Sequence, residues 1–159
     1  MMGERILLQV EDLKKHYPVR KGLFGKVNQV KALNGVTFQV RDGEVFGIVG
    51  ESGCGKSTLG LTIAKLIEPT GGHIILSGED ITNYTPSQMR EVRKSIQMVF
   101  QDPYASLNPR MSVREIIEEP MVIHKLASSK KEMDKRTVEL LRQVGLDDYH
   151  ANRYPHQFS

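Results

Sequence analysis

The feature that most constrains this chain is a glycine-rich segment, residues 50–58, which reads GESGCGKST. It matches the pattern G-x-x-x-x-G-K-[ST] in full. Glycine allows backbone conformations that are closed to residues with a Cβ, so successive N–H groups can point inward at phosphate oxygens. A helical pattern follows the segment, and a helix N-terminus adds free N–H groups and the positive end of its dipole. The pattern predicts a loop that holds the phosphates of a nucleotide.

Each position in this loop has an expected role. We expect Lys56 to reach the β- and γ-phosphates, the Ser57 hydroxyl to bind Mg²⁺, and Thr58 to contact phosphate beside it. The other candidate nucleotide contacts are Gly50, Glu51, Ser52, Gly53, Cys54 and Gly55. The alternative is a plain glycine turn between a strand and a helix, which the full match and its context disfavour. The loop is not a dinucleotide fingerprint, because Thr58 stands where the third glycine would be.

Hydrophobic patterning predicts a mixture of strands and helices along the chain. We expect strands at 5–10, 36–40, 44–49, 73–77 and 96–100, with 44–49 buried on both faces because it is mostly apolar. Helices are predicted from Lys56 to about Ile67, from a Thr85 cap to about Lys94, from a Ser112 cap to about Leu126, and from a Ser129 cap to Gly145. Three chain-breaking residues within 18–29 predict a loop or hairpin insert there.

Composition narrows the class of protein. A length of 159 residues fits one domain. No apolar run approaches the ~20 residues that span a bilayer, so we expect no transmembrane segment. The net charge of +3 is mild and forms no long basic block, which gives nucleic-acid binding little support. The single cysteine, Cys54, excludes an internal disulfide and suits a reducing cytosol.

Three motifs, in this order along the chain, resemble those of the ATP-binding domains of ABC transporters. Tyr17, in the segment DLKKHY, is similar to the A-loop aromatic residue that stacks on adenine; residues 50–59 resemble the Walker A motif; and Gln101, at the end of a predicted strand, resembles the Q-loop residue. An aromatic face suits the π-system of a base. Taken singly, Tyr17 is equally well explained as a core aromatic residue, and Gln101 as a polar strand end. The shared order of all three favours the functional interpretation.

The resemblance implies an α/β fold: a P-loop NTPase core with an ABC-type antiparallel β subdomain, the start of a helical subdomain and an incomplete central sheet. Residues 1–159 would be the N-terminal part of one ABC ATP-binding domain. Residues 1–100 would form the nucleotide-binding core and β subdomain, and 101–159 the Q-loop and helical subdomain. The implied cofactors are ATP and Mg²⁺. Gln101 would position Mg²⁺ and the attacking water, and would be catalytic together with Lys56.

Two further segments are similar to the oligopeptide and dipeptide importers among these ATPases, residues 99–111 (VFQDPYASLNPRM) and 154–159 (YPHQFS). The implied function is ATP binding and, in the full-length parent, ATP hydrolysis that energises import of di- and oligopeptides. The implied partners are transmembrane permease subunits and a second ATPase subunit, in a homo- or heterodimer, at the cytoplasmic face of the membrane. An importer for nickel or another small solute is the alternative.

The family pattern would continue from Phe158 and Ser159 into the Gly-Gly-Gln of the signature motif. In addition, no run of four apolar residues followed by an acid, the Walker B pattern, occurs after the loop. We therefore expect a chain truncated just before the signature motif, which holds nucleotide without turnover, because phosphoryl transfer depends on the positioning groups that are missing. Another kind of P-loop NTPase is disfavoured by the segment that follows Gln101.

Overall fold

The structure is a computed structural model that describes residues 5–20 and 27–158. The chain divides into two compact units, Met1–Met98 and Val99–Ser159. The first unit contains all the strands among the described residues, and the second is helical. No helix in the described ranges is long and apolar enough to cross a membrane.

The first unit is built on a four-stranded antiparallel sheet in the order β2-β1-β3-β4. The strands are β1 (Ile6–Arg20), β2 (Val27–Arg41), β3 (Gly71–Leu76) and β4 (Glu79–Asp80). The strands predicted at 5–10, 36–40 and 73–77 are confirmed by β1, β2 and β3, although Arg5 and Ser77 lie just outside β1 and β3. Strands β1 and β2 follow one another along the chain and pair as a long antiparallel hairpin, so this ladder of hydrogen bonds joins consecutive strands.

Of the two alternatives predicted for 18–29, a loop or a hairpin insert, the described residues form the hairpin. Pro18 pairs with Gln29 and Arg20 with Val27, so β1 and β2 both continue into this segment. Gly22 and Gly25 lie outside the described residues. Proline lacks an N–H, and it is tolerated where a strand needs no donor at that position.

Two helices pack with this sheet, α1 (Lys56–Ile63) and α2 (Pro86–Val92). The core contains side chains from the strands and from both helices, and its buried members include Val10, Leu13, Leu33, Ile74, Leu59, Ile63 and Met89. The helix α1 begins where predicted but ends four residues earlier than Ile67. The predicted Thr85 cap of α2 is confirmed: the Thr85 hydroxyl accepts from the Gln88 N–H, and the Gln88 side chain accepts from the Thr85 N–H.

The strands predicted at 44–49 and 96–100 are wrong for the described residues. Neither segment is a strand, and no described strand pairs with them. Val45 is 99% exposed and Val49 is 96% exposed, whereas burial on both faces was expected. The ring of Phe46 stacks on Phe38 of β2, with centroids 4.9 Å apart. Apolar composition predicts how well a segment suits a buried strand, but a strand forms only where another strand supplies hydrogen-bond partners.

The second unit consists of α3 (Pro103–Ser106), α4 (Val113–Ile123), α5 (Lys130–Gln143) and two short 3₁₀ helices, Asp148–Asn152 and Pro155–Gln157. The predicted Ser112 capping box at the start of α4 is confirmed. The Ser129 hydroxyl caps α5, but the Glu132 carboxylate accepts from Ser128 instead of completing a box with Ser129.

The end of α5 follows the predicted glycine cap. Gly145 has φ +78°, which favours glycine because a Cβ is strained there. The Leu146 N–H donates to the Leu141 carbonyl at 2.9 Å, and the Gly145 N–H donates to the Arg142 carbonyl at 3.0 Å. This pair of bonds is the Schellman arrangement, which satisfies carbonyls that the helix itself leaves free.

Candidate functional site

The backbone of the glycine-rich loop turns in the left-handed region at two glycines. Gly53 has φ +82° and Gly55 has φ +101°. Between them, the Cys54 N–H donates to the Glu51 carbonyl at 3.3 Å and closes a turn. Gly55 is the N-cap of α1, so the chain leaves the turn and enters the helix at once. Only glycine takes both conformations without strain, which explains the glycine positions of the motif.

The loop also lies against strand β2. A Cβ built on Gly55 would stand 2.5 Å from the Ala32 carbonyl oxygen and 3.5 Å from Cδ2 of Leu33. The first distance is shorter than real Cβ contacts, so position 55 has no room for a side chain. Leu33 is buried, and Ala32 is half-buried. This close approach fixes the loop on the hairpin of β1 and β2.

Lys56 folds its side chain back over the loop. Its Nζ donates to the Gly50 carbonyl at 2.7 Å and to the Glu51 carbonyl at 2.6 Å, and lies 3.6 Å from Sγ of Cys54. The side chain therefore places a positive charge at the centre of the turn, where an anion bound by the loop would be attracted to it. The Cys54 thiol is exposed on the same turn.

The first turn of α1 carries no acidic side chain that would repel an anion. Its N-cap makes no side-chain hydrogen bond. Ser57 is exposed and Thr58 is half-buried. The positive end of the helix dipole and the N–H groups of the first turn can therefore act on a bound phosphate.

Tyr17 belongs to the same unit as the loop. It lies on β1 opposite Val30 of β2, and its side chain is 39% exposed. Ala32, which meets Gly55, is two residues further along β2, a separation of about 7 Å. The exposure disfavours the interpretation of Tyr17 as a core aromatic residue. The hairpin thus carries the exposed ring of Tyr17 and, nearby on β2, the Ala32 carbonyl that contacts Gly55 of the loop.

Gln101 lies in the second unit. It is exposed and lines an open cleft together with Phe100, Asp102 and Ser106. The structure therefore groups Tyr17 with residues 50–58 in one unit and places Gln101 in the other.

Sequence reasoning missed three contributors to the first unit's site: Lys15, Ala32 and Glu68. The Nζ of Lys15 lies 4.9 Å from the centroid of the Tyr17 ring and donates to the Glu68 carbonyl at 2.7 Å. Side chains at i and i+2 of a strand share a face, so the spacing of Lys15 and Tyr17 could have indicated their contact. No sequence pattern indicates the approach of Ala32 to Gly55, because it joins residues far apart along the chain.

Known proteins are similar to this chain across both of its units. Residues 33–159 match the ABC transporter family. The oligopeptide transport ATP-binding protein AppF of Bacillus subtilis (strain 168) is 51% identical over 99% of this chain and 48% of its own length. The dipeptide transport ATP-binding protein DppF of Escherichia coli (strain K12) is 47% identical over 96% of this chain and 46% of its own length. The chain spans about half the length of the curated relatives it matches.

Solved structures show the same fold. A dimeric ATP-binding cassette in a post-hydrolysis state, bound to ADP and Pi, superposes with a TM-score of 0.80 at 28% identity, over 96% of this chain and 63% of that one. The cbiO1 protein of Clostridium perfringens, part of the ABC transporter complex cbiONQ, gives a TM-score of 0.73 at 29% identity, over 98% of this chain and 57% of that one. The predicted α/β fold of the P-loop NTPase type is therefore confirmed.

Proposed function

The chain belongs to the ABC transporter family of ATP-binding proteins, and on that premise we propose that its first unit binds ATP with Mg²⁺. The observation that carries the proposal is the position of Lys56. Its ammonium is held inside a turn of left-handed glycines at the start of α1, which has no acid in its first turn. A triphosphate matches this arrangement, because it brings several negative charges to a site that offers a fixed positive charge and free N–H groups.

The base of the nucleotide would stack on Tyr17. The ring is exposed, and it lies on the hairpin that supports Gly55. Ala32, which contacts Gly55, lies two residues along β2 from Val30, the partner of Tyr17, so the ribose and triphosphate of one nucleotide would connect the ring and the loop. Aromatic stacking accepts any base, since every base has a π-face. The phosphates supply the affinity for the loop, and the ring supplies the contact with the base.

Mg²⁺ would be held by Ser57 together with phosphate oxygens and water. Mg²⁺ prefers oxygen ligands and keeps several waters, so a single exposed hydroxyl beside the phosphates fits it. Among the described residues no group of three or more His, Cys, Asp or Glu side chains forms a separate metal site. On the resemblance of its motif, Gln101 of the second unit would contact Mg²⁺ and the attacking water.

The wider role we propose is to energise import. The relatives are named as oligopeptide and dipeptide transport ATP-binding proteins, which supports di- and oligopeptides as the cargo over nickel. The partners would be transmembrane permease subunits and a second ATP-binding subunit, at the cytoplasmic face of the membrane. Residues 1–100 would be the nucleotide-binding core with the β subdomain, and 101–159 the Q-loop and helical subdomain. Hydrolysis of ATP belongs to this proposed role.

Calorimetric titration of ATP with Mg²⁺ tests the nucleotide site. In Lys56→Ala the affinity for ATP should fall about 10- to 100-fold, because a hydrogen bond to a charged group is worth about 1.5–3 kcal/mol. Lys94→Ala is the matched control: it removes one positive charge from the same unit, at a surface pair with Glu91. The control should bind as the wild type does. Equal affinities for the wild type and Lys56→Ala would refute the phosphate site.

The cargo is tested in cells that lack the gene for this chain. Uptake of a labelled dipeptide should be lost in such cells and restored by the intact gene, while uptake of Ni²⁺ should stay at its normal level. Loss of Ni²⁺ uptake with normal dipeptide uptake would favour the nickel alternative and leave the nucleotide site untouched.

A further inference from the structure

Lys15 occupies one face of the Tyr17 ring. Both residues lie on β1, two positions apart. The Nζ of Lys15 is 4.9 Å from the ring centroid, within the ~6 Å over which a cation is attracted to the negative face of an aromatic ring. Because Tyr17 is 39% exposed, the ring also keeps surface that a ligand can cover.

The ammonium of Lys15 is itself anchored. It donates to the Glu68 carbonyl at 2.7 Å, in the connection between α1 and β3. The Glu68 side chain pairs with the ammonium of Lys65, whose side chain is only 1% exposed. The Lys65 ammonium also donates to the Thr82 carbonyl at 2.5 Å. The Glu68 carboxylate is therefore held by a buried cation, and the Glu68 carbonyl fixes the ammonium of Lys15.

Two backbone contacts join the same connection to β1 just before Tyr17. The His16 N–H donates to the Thr70 hydroxyl at 3.0 Å, and the Thr70 N–H donates to the Lys14 carbonyl at 2.8 Å. The connection between α1 and β3 therefore makes hydrogen bonds with three consecutive residues of β1, 14–16. The position of the ring is thus tied to the chain that leaves α1.

From this arrangement we propose that Lys15 is a positioning residue for the nucleotide base, an inference that rests on the proposed nucleotide site. Lys15 holds the Tyr17 ring in one orientation and covers one of its faces, so that the base stacks on the other. A ring fixed before binding loses less rotamer freedom when the base arrives, which raises affinity. Lys15 acts through Tyr17 and does not contact the phosphates.

Lys14 provides a matched control on the same strand. Its ammonium pairs with the Asp12 carboxylate at 2.6 Å. Replacing either lysine by methionine removes one positive charge and keeps the aliphatic stem. A general loss of attraction for a charged ligand would therefore affect both variants alike, whereas loss of ring positioning would affect Lys15→Met alone.

The experiment measures, for the full chain, the affinity for ATP and for inorganic tripolyphosphate, which lacks the base. Lys15→Met should bind ATP about two- to fivefold more weakly, the effect of a cation–π contact at a partly exposed site. Its affinity for tripolyphosphate should be unchanged. Lys15→Arg, which keeps a cation over the ring, should bind ATP as the wild type does. Lys14→Met should match the wild type with both ligands.

A double-mutant cycle shows whether Lys15 acts through the ring. In the Tyr17→Ala background, Lys15→Met should have no further effect on ATP affinity. Equal weakening for ATP and tripolyphosphate, an undiminished effect without the ring, or a Lys15→Met variant that binds ATP as Lys14→Met does would each overturn the proposal. These results differ from failure of the nucleotide site itself, in which Lys56→Ala and the wild type would bind ATP equally.

Discussion

Gly55 is the position of the glycine-rich loop where a single added methyl group would clash with backbone. Gly55→Ala would place a Cβ 2.5 Å from the Ala32 carbonyl oxygen, on a residue whose φ is +101°. Gly53→Ala is the matched control in the same loop. Gly53 has φ +82°, and a Cβ there would meet nothing within 4 Å. The two variants share the conformational cost and differ in the clash.

The magnitudes follow from these two terms. An L-residue held in the left-handed region costs about 1–2 kcal/mol. Overpacking against backbone adds about 1–3 kcal/mol, because a carbonyl in a strand cannot turn aside as a flexible side chain can. The free energy of unfolding should therefore fall by roughly 2–5 kcal/mol in Gly55→Ala. It should fall by about 1–2 kcal/mol in Gly53→Ala.

Urea unfolding followed by circular dichroism measures both changes, and suits a chain without tryptophan. ATP affinity should also be lost in Gly55→Ala, since relief of the clash moves the loop away from β2. Equal and small losses of stability in the two variants would show that the loop does not lie against Ala32, and the argument for the supported loop would be wrong.

Two further changes have defined outcomes. Tyr17→Ala should weaken ATP binding by about 1–3 kcal/mol in calorimetry, while Tyr17→Phe should bind normally; an alanine variant that stays folded and binds as the wild type does would remove Tyr17 from the site. The Ser112 N–H and hydroxyl donate to the Glu115 carboxylate and lower its pKa. The cap therefore stabilises α4 fully at a pH above the ordinary glutamate pKa of about 4.3, and this stabilisation is lost as the pH falls through the lowered pKa of Glu115. In the wild type and in the control Glu119→Gln, which changes an exposed residue of α4, helicity should therefore fall in that acid range. In Glu115→Gln helicity should fall less steeply than in the wild type. Identical acid transitions in the two variants would contradict the role of the cap.

Local features were predictable because their causes lie within a few residues. The start of α1 at Lys56, the Thr85 and Ser112 caps, and the glycine at the end of α5 were all correct. In each case the cause is a capping side chain or a glycine next to the helix end. The cap of α5 shows the limit of this reasoning, since Glu132 reached Ser128, one residue from the expected partner.

The candidate site was predictable in its parts but not in its assembly. The motif indicated which residues could hold phosphate, and Tyr17 was identified by its resemblance to a family pattern. The contact of Lys15 with Tyr17 depends on which carbonyl anchors the ammonium, and Glu68 is 53 residues away. A long side chain has many rotamers, so only the packed structure selects the one that meets the ring.

The sequence by itself therefore determined the loop, the helix starts and the hairpin strands, because glycine conformation, capping and alternation act between near neighbours. Only the tertiary structure decided that Gly55 meets Ala32, that residues 64–70 tie β1 to α1, and that 44–49 and 96–100 remain unpaired among the described residues. Apolar composition made the last two segments fit for a sheet. Whether a strand forms depends on hydrogen bonds from a partner, and a segment's own sequence does not contain its partner.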